Sequence, residues 1–246
     1  MRGGWRLALA PEAEEAQREG VGLALSRGLK EENRILFHHS NVKRFYRVET
    51  PGLCLFVKVR DFHSIWRRMG RAVRRTKEER ELENFVRLRS LGVPCPRPLS
   101  SARLMKGILP AASALVTEFI QCSRSLKEGL LHGKNPMVLD RLMELLVRLR
   151  QAKVVHRDLQ WENLLLVGTE EDPTVYLVDP LHMRFMRGEA DRGFALSIAW
   201  FLRFMIQEHA PEGLVRDFLE TARWHGLCAP LEPGDLLEKA RGMCDP

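Results

Sequence analysis

Val154-Val155-His156-Arg157-Asp158-Leu159-Gln160-Trp161-Glu162-Asn163-Leu164-Leu165-Leu166, followed after one turn by Val175-Tyr176-Leu177-Val178-Asp179, decides how the rest of the chain is read. Two short apolar runs flank a polar stretch, and a third apolar run ends on a carboxylate. A buried strand reads this way when it must deliver a charged group at its end. The spacing is the informative part: His-Arg-Asp, Asn five positions after the Asp, and a second Asp closing the following strand. A helix-capping surface turn would account for one of these polar residues but not for three at such intervals.

The same spacing is the catalytic-loop pattern of protein kinases. Phosphoryl transfer needs a carboxylate near the attacking hydroxyl and oxygen ligands for the magnesium that screens the phosphates. Asp158 fits the first role. Asn163 and Asp179 fit the second, because amide and carboxylate oxygens suit a hard, partly hydrated cation. His156 is expected to pack and hydrogen-bond beside the loop rather than react. Arg157 reads equally well as a solvated side chain.

With 246 residues, 45% apolar and 29% charged, the chain fits one large soluble domain or two lobes sharing a cleft. The formal charge is +7, and residues 62 to 77 hold Arg67, Arg68, Arg71, Arg74, Arg75 and Lys77 with no acid. Polyanions are therefore candidate partners. In that segment Ile65, Met69 and Val73 recur every four residues beside Trp66, with arginines on the remaining faces, the pattern of an interfacial amphipathic helix weakened by Gly70. Its readings are a solvated charged face, a contact with anionic lipid or phosphorylated glycan, and nucleic-acid binding; no recognisable nucleic-acid module accompanies it. The five cysteines show no paired short spacing, so neither a disulfide framework nor a zinc site is indicated and a reducing compartment fits. The N-terminal apolar run is too short for a signal peptide. Phe194 to Ile206 is too short for the roughly 20 residues of a membrane span.

Residues 1 to 30 read as a loosely tied leader of no visible role. From Ile35 to Val59 the periodicity is strand-like, with Leu55, Val57 and Val59 on one face and Phe56, Lys58 and Arg60 on the other. Lys58 is either a solvent-facing lysine or one that reaches nucleotide phosphates. In the helix read over Glu78 to Leu91, stopped by Gly92 and Pro94, Glu81 borders the buried face and wants a cation, for which Lys58 is the nearest candidate by topology. Glu78 is the fallback partner, and Glu83 points to solvent. Ala114 to Ile120 reads as a strand leading into a polar connector, Gln121 to Ser125, which by position is a kinase hinge. Backbone groups of Glu118 and Ile120 would there meet the adenine. Asn135-Pro136 starts a helix with Leu139, Leu142, Met143, Leu146 and Leu149 as its apolar stripe. Only about a dozen residues separate Asp179 from the next helical segment, so no long activation segment ending in Ala-Pro-Glu is present. An extended peptide is then a poor fit as acceptor.

With these residues in hand, the chain resembles the bacterial lipopolysaccharide core sugar kinases, which phosphorylate inner-core heptose or Kdo. The likeness runs over roughly residues 35 to 205. It is carried by Phe-Tyr-Arg-Val-Glu, Leu-Phe-Val-Lys-Val-Arg, Ile-Trp-Arg-Arg, Glu-Leu-Glu-Asn-Phe-Val-Arg-Leu-Arg-Ser-Leu-Gly-Val-Pro-Cys-Pro-Arg-Pro-Leu, His-Arg-Asp-Leu-Gln-Trp-Glu-Asn and Leu-Val-Asp-Pro. It implies an α+β, bilobal, protein-kinase-like fold with a small β-rich N-lobe over 31–120 and a mainly helical C-lobe over 121–246. It further implies ATP and Mg2+ as cofactors, with Lys58 on the ATP phosphates, Glu81 paired to it, Asp158 as base, and Asn163 and Asp179 on magnesium. The acceptor would be core glycolipid, and the place of work the cytoplasmic face of the inner membrane, touched peripherally through residues 62 to 77. Two features depart from the wider kinase pattern: no glycine-rich loop lies between Ile35 and Val48, and Pro180-Leu181 replaces the Phe-Gly that usually follows the magnesium Asp. The other readings of the same residues are an atypical, RIO-like protein kinase and a catalytically silent kinase-like module that binds a polyanion.

Overall fold

Alternation along Leu53–Asp61 sets up the first half of the protein. Leu55, Val57 and Val59 are buried on one face, and Lys58, on the other, is buried as well. A strand covered on both faces needs a partner layer on each side. The computed structural model describes residues 4–244 except 12, 14, 29–33, 40, 41, 51, 122, 133–136, 189 and 190. It separates into two compact units, residues 1–87 with 96–120 and residues 88–95 with 121–246.

The first unit runs β1 (Trp5–Leu9), α1 (Glu15–Leu23), a π-helical turn (Ala24–Gly28), β2 (Arg34–His39), β3 (Lys43–Thr50), β4 (Leu53–Asp61), α2 (Ile65–Val73), α3 (Lys77–Ser90), β5 (Pro98–Lys106) and β6 (Leu109–Glu118). Its six strands form one antiparallel sheet in the order β1-β5-β6-β4-β3-β2. Val21, Ala24 and Leu25 pack with Val48, Leu55, Val57, Val59, Leu99 and Val116 on one face. Alternation places Lys58 on the other, toward Glu81 of α3. Residues 5 to 28 are thus no loosely tied leader. β1 is hydrogen-bonded to β5 in register from Trp5↔Leu104 to Leu9↔Ser100, and the helical segment behind it packs Val21, Ala24 and Leu25 into the sheet core.

α3 is bounded by its own sequence. Thr76 and Glu79 form a reciprocal capping box: the Glu79 N–H donates to Thr76 Oγ1 (3.1 Å) and the Thr76 N–H to Glu79 Oε2 (2.9 Å). At the other end Gly92 adopts φ +72°, the left-handed conformation that suits glycine. Its N–H and that of Val93 fold back to the carbonyls of Arg89 and Leu88 in a Schellman motif.

The second unit holds β7 (Arg124–Ser125), α4 (Leu126–His132), α5 (Met137–Gln151), β8 (Val154–His156), β9 (Leu164–Gly168), β10 (Pro173–Leu177), β11 (Met183–Phe185), α6 (Asp191–Gln207), α7 (Glu212–Trp224) and α8 (Pro233–Gly242). Strands β10-β9-β7 form a small antiparallel sheet and β11 pairs β8. α5 buries Val138, Leu142, Met143, Leu145, Leu146 and Leu149, with Leu139 only half-buried. The start expected at Asn135-Pro136 lies outside the described residues. Phe194 to Met205 of α6 supplies the largest share of the core of this unit, and no helix among the described residues is long and apolar enough to cross a membrane. β5 went unread in the sequence because its inward side chains include Ser100 and Ser101, buried despite their hydroxyls.

Because Leu25 is 2% exposed against the sheet, Leu25→Ala is expected to cost about 2–5 kcal/mol in a denaturant melt. A loss below about 0.5 kcal/mol, the level of a surface substitution, would return this segment to the status of a leader.

Candidate active site

His156 ends β8 and is 1% exposed. Its own N–H donates to Ser197 Oγ on α6 (2.9 Å), and its ring is held from both sides. Nδ1 accepts the backbone N–H of Asp158 (3.1 Å), while Nε2 lies 2.9 Å from the carbonyl oxygen of Asp179. A carbonyl can only accept and an N–H can only donate, so both bonds require the neutral tautomer with its proton on Nε2. Burial favours that state and lowers the pKa of His156 below its ordinary value, against the opposing pull of the Asp179 carbonyl and the Asp179 and Asp158 charges. One uncharged ring therefore ties the segment carrying Asp158 to the segment carrying Asp179.

Asn163 closes the loop from the other end. It ends a 3-10 turn, Trp161–Asn163, anchored by fully buried Trp161. Asn163 Nδ2 donates to the Asp158 carbonyl (3.0 Å), and the Val178 N–H donates to the Asn163 carbonyl (3.0 Å). With Nδ2 committed to the loop, Oδ1 is the end of the amide suited to a cation. Asp179 follows β10, and its Oδ1 accepts the Leu181 N–H (3.2 Å). Pro180 and Leu181 thus lead into a bend fixed on the Asp179 side chain, and the Arg157 N–H bonds the His182 carbonyl just beyond (3.2 Å). Asp158, Asn163 and Asp179 are in this way brought into one hydrogen-bonded loop system, and Arg157 is exposed.

Among the described residues no group of three or more His, Cys, Asp or Glu could hold a metal. Asn163 and Asp179 supply two hard oxygen donors, which fit magnesium: it keeps several waters and binds through one or two protein oxygens together with phosphates.

In the first unit Lys58 and Glu81 form a buried ion pair. Lys58 Nζ lies 3.0 and 2.9 Å from Glu81 Oε1 and Oε2, with the residues 5% and 1% exposed. Phe45, the cross-strand neighbour of Lys58, places its ring 5.8 Å from the ammonium. The fallback acid, Glu78, is engaged elsewhere, by Arg60 Nε (2.7 Å) and the Ser113 hydroxyl. Glu83 meets Arg75 in an exposed pair. At the end of β6 the Glu118 N–H donates to the Arg97 carbonyl (2.9 Å) and the Phe119 N–H to the Cys54 carbonyl (2.9 Å), so this backbone is tied to its neighbours; Ile120 is half-buried. Ser197 was missed in the sequence. Its signal was a hydroxyl inside the apolar run Phe194 to Ile206.

The fold and these residues meet in one family. The lipopolysaccharide kinase (Kdo/WaaP) family matches residues 37–192, more than half of the chain, and the chain belongs to it. Among solved structures, WaaP in complex with acyl carrier protein is similar over 98% of this chain and 100% of that one, with a TM-score of 0.57 and 17% identity. The PknI kinase domain of Mycobacterium tuberculosis, a double mutant, covers 89% of this chain and 98% of its own at a TM-score of 0.49 and 13% identity. No curated protein matches. The fold is protein-kinase-like, β-rich in the first unit and mainly helical in the second.

Glu81→Ala would leave the Lys58 ammonium buried without its carboxylate, at a cost of about 3–5 kcal/mol. The double variant Lys58→Met/Glu81→Leu should recover most of that in a denaturant melt, and a double variant as unstable as the single one would contradict the assignment. The lowered pKa of His156 sets a second expectation. As pH falls through about 6.5, the unfolded imidazole takes a proton that the folded one refuses, so stability drops over that interval. In thermal melts between pH 7.5 and 5.5, His156→Gln should show a shallower fall than wild type; equal slopes would exclude the neutral clamp.

Proposed function

We propose that this chain is an ATP- and magnesium-dependent kinase that phosphorylates a sugar hydroxyl, of heptose or Kdo, in the inner core of lipopolysaccharide at the cytoplasmic face of the inner membrane. The observation that carries this reading is the neutral His156 bridge, which fixes Asp158 and Asp179 in a chain of the lipopolysaccharide kinase family.

In this reading Asp158 orients the acceptor hydroxyl and takes its proton as the bond to phosphorus forms. Its carbonyl is held by Asn163 and its N–H by His156, so the carboxylate enters the reaction from a backbone fixed on both sides. Asn163 through Oδ1 and Asp179 through its carboxylate would hold magnesium. When bound, the ion neutralises charge on the phosphates and orients them. Lys58 holds the nucleotide phosphates, its ammonium aimed by Glu81. Backbone groups of Glu118 and Ile120 meet the adenine. The short connection from Asp179 to α6 leaves no platform for an extended peptide and favours a compact acceptor.

α2 supports work at a lipid surface. It buries none of its residues, and Ile65, Trp66, Met69 and Val73 stand exposed among arginines, an arrangement suited to an anionic interface.

The test is incubation with radiolabelled ATP and core lipopolysaccharide lacking its phosphates. Label is expected on the glycolipid with wild type, reduced by about 10²- to 10⁴-fold in Asp158→Asn. Label on seryl or tyrosyl protein and never on glycolipid would replace this reading with a RIO-like protein kinase. No label on either, with salt-sensitive binding to polyanions, would replace it with a silent module.

A further inference from the structure

α2 has a second side. At about 100° per residue, Ile65, Met69, Val73 and Trp66 share one arc of the helix and Arg67 and Arg71 lie roughly opposite. Arg68, between the two arcs, is committed to the fold: it donates to the carbonyls of Pro110 (3.1 Å), Lys106 (3.2 Å) and Leu109 (3.4 Å) in the β5–β6 hairpin. That anchorage fixes the rotation of α2, so Trp66 and Val73 remain 76% and 85% exposed, with Arg67 exposed and Arg71 half-buried on the opposite arc.

Under the arginine arc lies a cavity of about 420 Å³ walled by Arg60, Arg67, Arg71, Arg74 and Lys77, with Asp61 as the one acid among its lining residues. That acid is spent, because Asp61 Oδ1 accepts from Arg44 Nη2 at 2.7 Å. Arg60 is paired through Nε with Glu78, yet its Nη2 is buried without a hydrogen-bond partner among the described residues. Among the described residues the Arg71 side chain donates only to the Arg75 carbonyl (3.1 Å). No carboxylate among the described residues lies within ion-pair distance of Arg67, Arg74 or Lys77. Burial first, and then the like charges of Arg60, Lys43 and Arg71, hold the Lys77 ammonium below its ordinary pKa. An orphaned guanidinium nitrogen and converging uncompensated cations are unfavourable unless an anion joins them. Planar guanidinium forks suit the oxygens of a phosphoryl group.

We propose that this cavity is a phosphomonoester site that takes a phosphoryl group borne on the sugar head of the acceptor glycolipid. With the apolar arc of α2 resting on the bilayer, the cavity lies on the solvent side of the helix, where a lipid-anchored saccharide projects. Lys58 is not among its walls. The site therefore reads a phosphate already on the acceptor and is separate from the one that holds the nucleotide. This deepens the lipopolysaccharide reading and rests on it for the identity of the ligand.

The test is co-sedimentation, without ATP, with neutral phospholipid vesicles doped in turn with phosphorylated core glycolipid, with the same glycolipid after phosphatase treatment, and with phosphatidylglycerol at matched charge. Wild type should prefer the first by at least about tenfold, the worth of one charge-assisted hydrogen bond. Arg71→Gln/Arg74→Gln should lose that preference while keeping its thermal shift with magnesium-ATP. Gly70→Leu is the second variant: a Cβ at this wall position meets nothing within 4 Å, so the backbone accepts a side chain there. It should fold, keep every charge and lose the preference by occlusion. Equal binding to phosphorylated and dephosphorylated glycolipid, equal binding to matched phosphatidylglycerol, or undiminished preference in both variants overturns the site. Because binding is read without turnover, a protein that binds selectively but transfers no phosphoryl group overturns the kinase reading and leaves the site standing.

Discussion

The protonation state of one buried ring governs the geometry of the candidate active site. His156 can bridge the Asp158 N–H and the Asp179 carbonyl only while Nδ1 carries a lone pair and Nε2 a proton. A second proton would set two donors face to face and release the Asp158 segment. Packing keeps the ring neutral: β8 lies under α6, whose Phe194, Ile198 and Phe201 are almost wholly buried, and Ser197 from the same helix takes the His156 N–H. The approach is close enough that a Cβ on Gly193 would stand 2.8 Å from a Val155 methyl. An apolar helix with two small exceptions, Gly193 and Ser197, thus decides a tautomer, and the tautomer decides where two carboxylates can be.

A different device orders the first unit. Three acids in the first five residues of α3 each meet a cation from a strand: Glu78 with Arg60, Glu79 with Arg103, Glu81 with Lys58. Buried pairs of this kind are weak contributors to stability, since desolvation offsets most of the attraction. Their effect here is registration. A slip of α3 by one residue would set Arg80 or Leu82 in place of Glu81 against the buried Lys58, so the cost of misplacement is high even though the net gain of correct placement is small. In fixing where the Lys58 ammonium stands, that asymmetry matters more than added stability.

How much of this was legible depended on the range of the interaction. The loop triple could be read because Asp158, Asn163 and Asp179 announce themselves by type and interval within one short stretch, and Lys58–Glu81 because strand and helix periods each left a charge on a buried face. Residues 5 to 28 and β5 could not. The pairing of β1 with β5 joins residues nearly a hundred positions apart, as in Trp5↔Leu104, and local composition carries no trace of it. Glu78 read as the fallback to Glu81, since both lie on the sheet side of α3. The fallback's own partner, Arg60, lies two residues beyond Lys58 on the same face of the strand.

The arginines divide by the same logic. Arg103 meets both oxygens of Glu79 and also donates to the carbonyls of Arg71 (2.8 Å) and Arg74 (3.2 Å), joining β5, the cap of α3 and the end of α2 at one guanidinium. Arg68 is likewise consumed by backbone carbonyls, and both are accounted for by the fold. Arg67, Arg71 and Arg74 are held in place by a helix that these two fasten, yet no carboxylate among the described residues answers their own charges. A protein that needed only solubility could scatter such charges over open surface, where water screens them at little cost. Gathering them against Arg60 and Lys77 around one cavity raises the electrostatic cost of the free state, and an arrangement of that kind is accounted for most simply by the anion that relieves it.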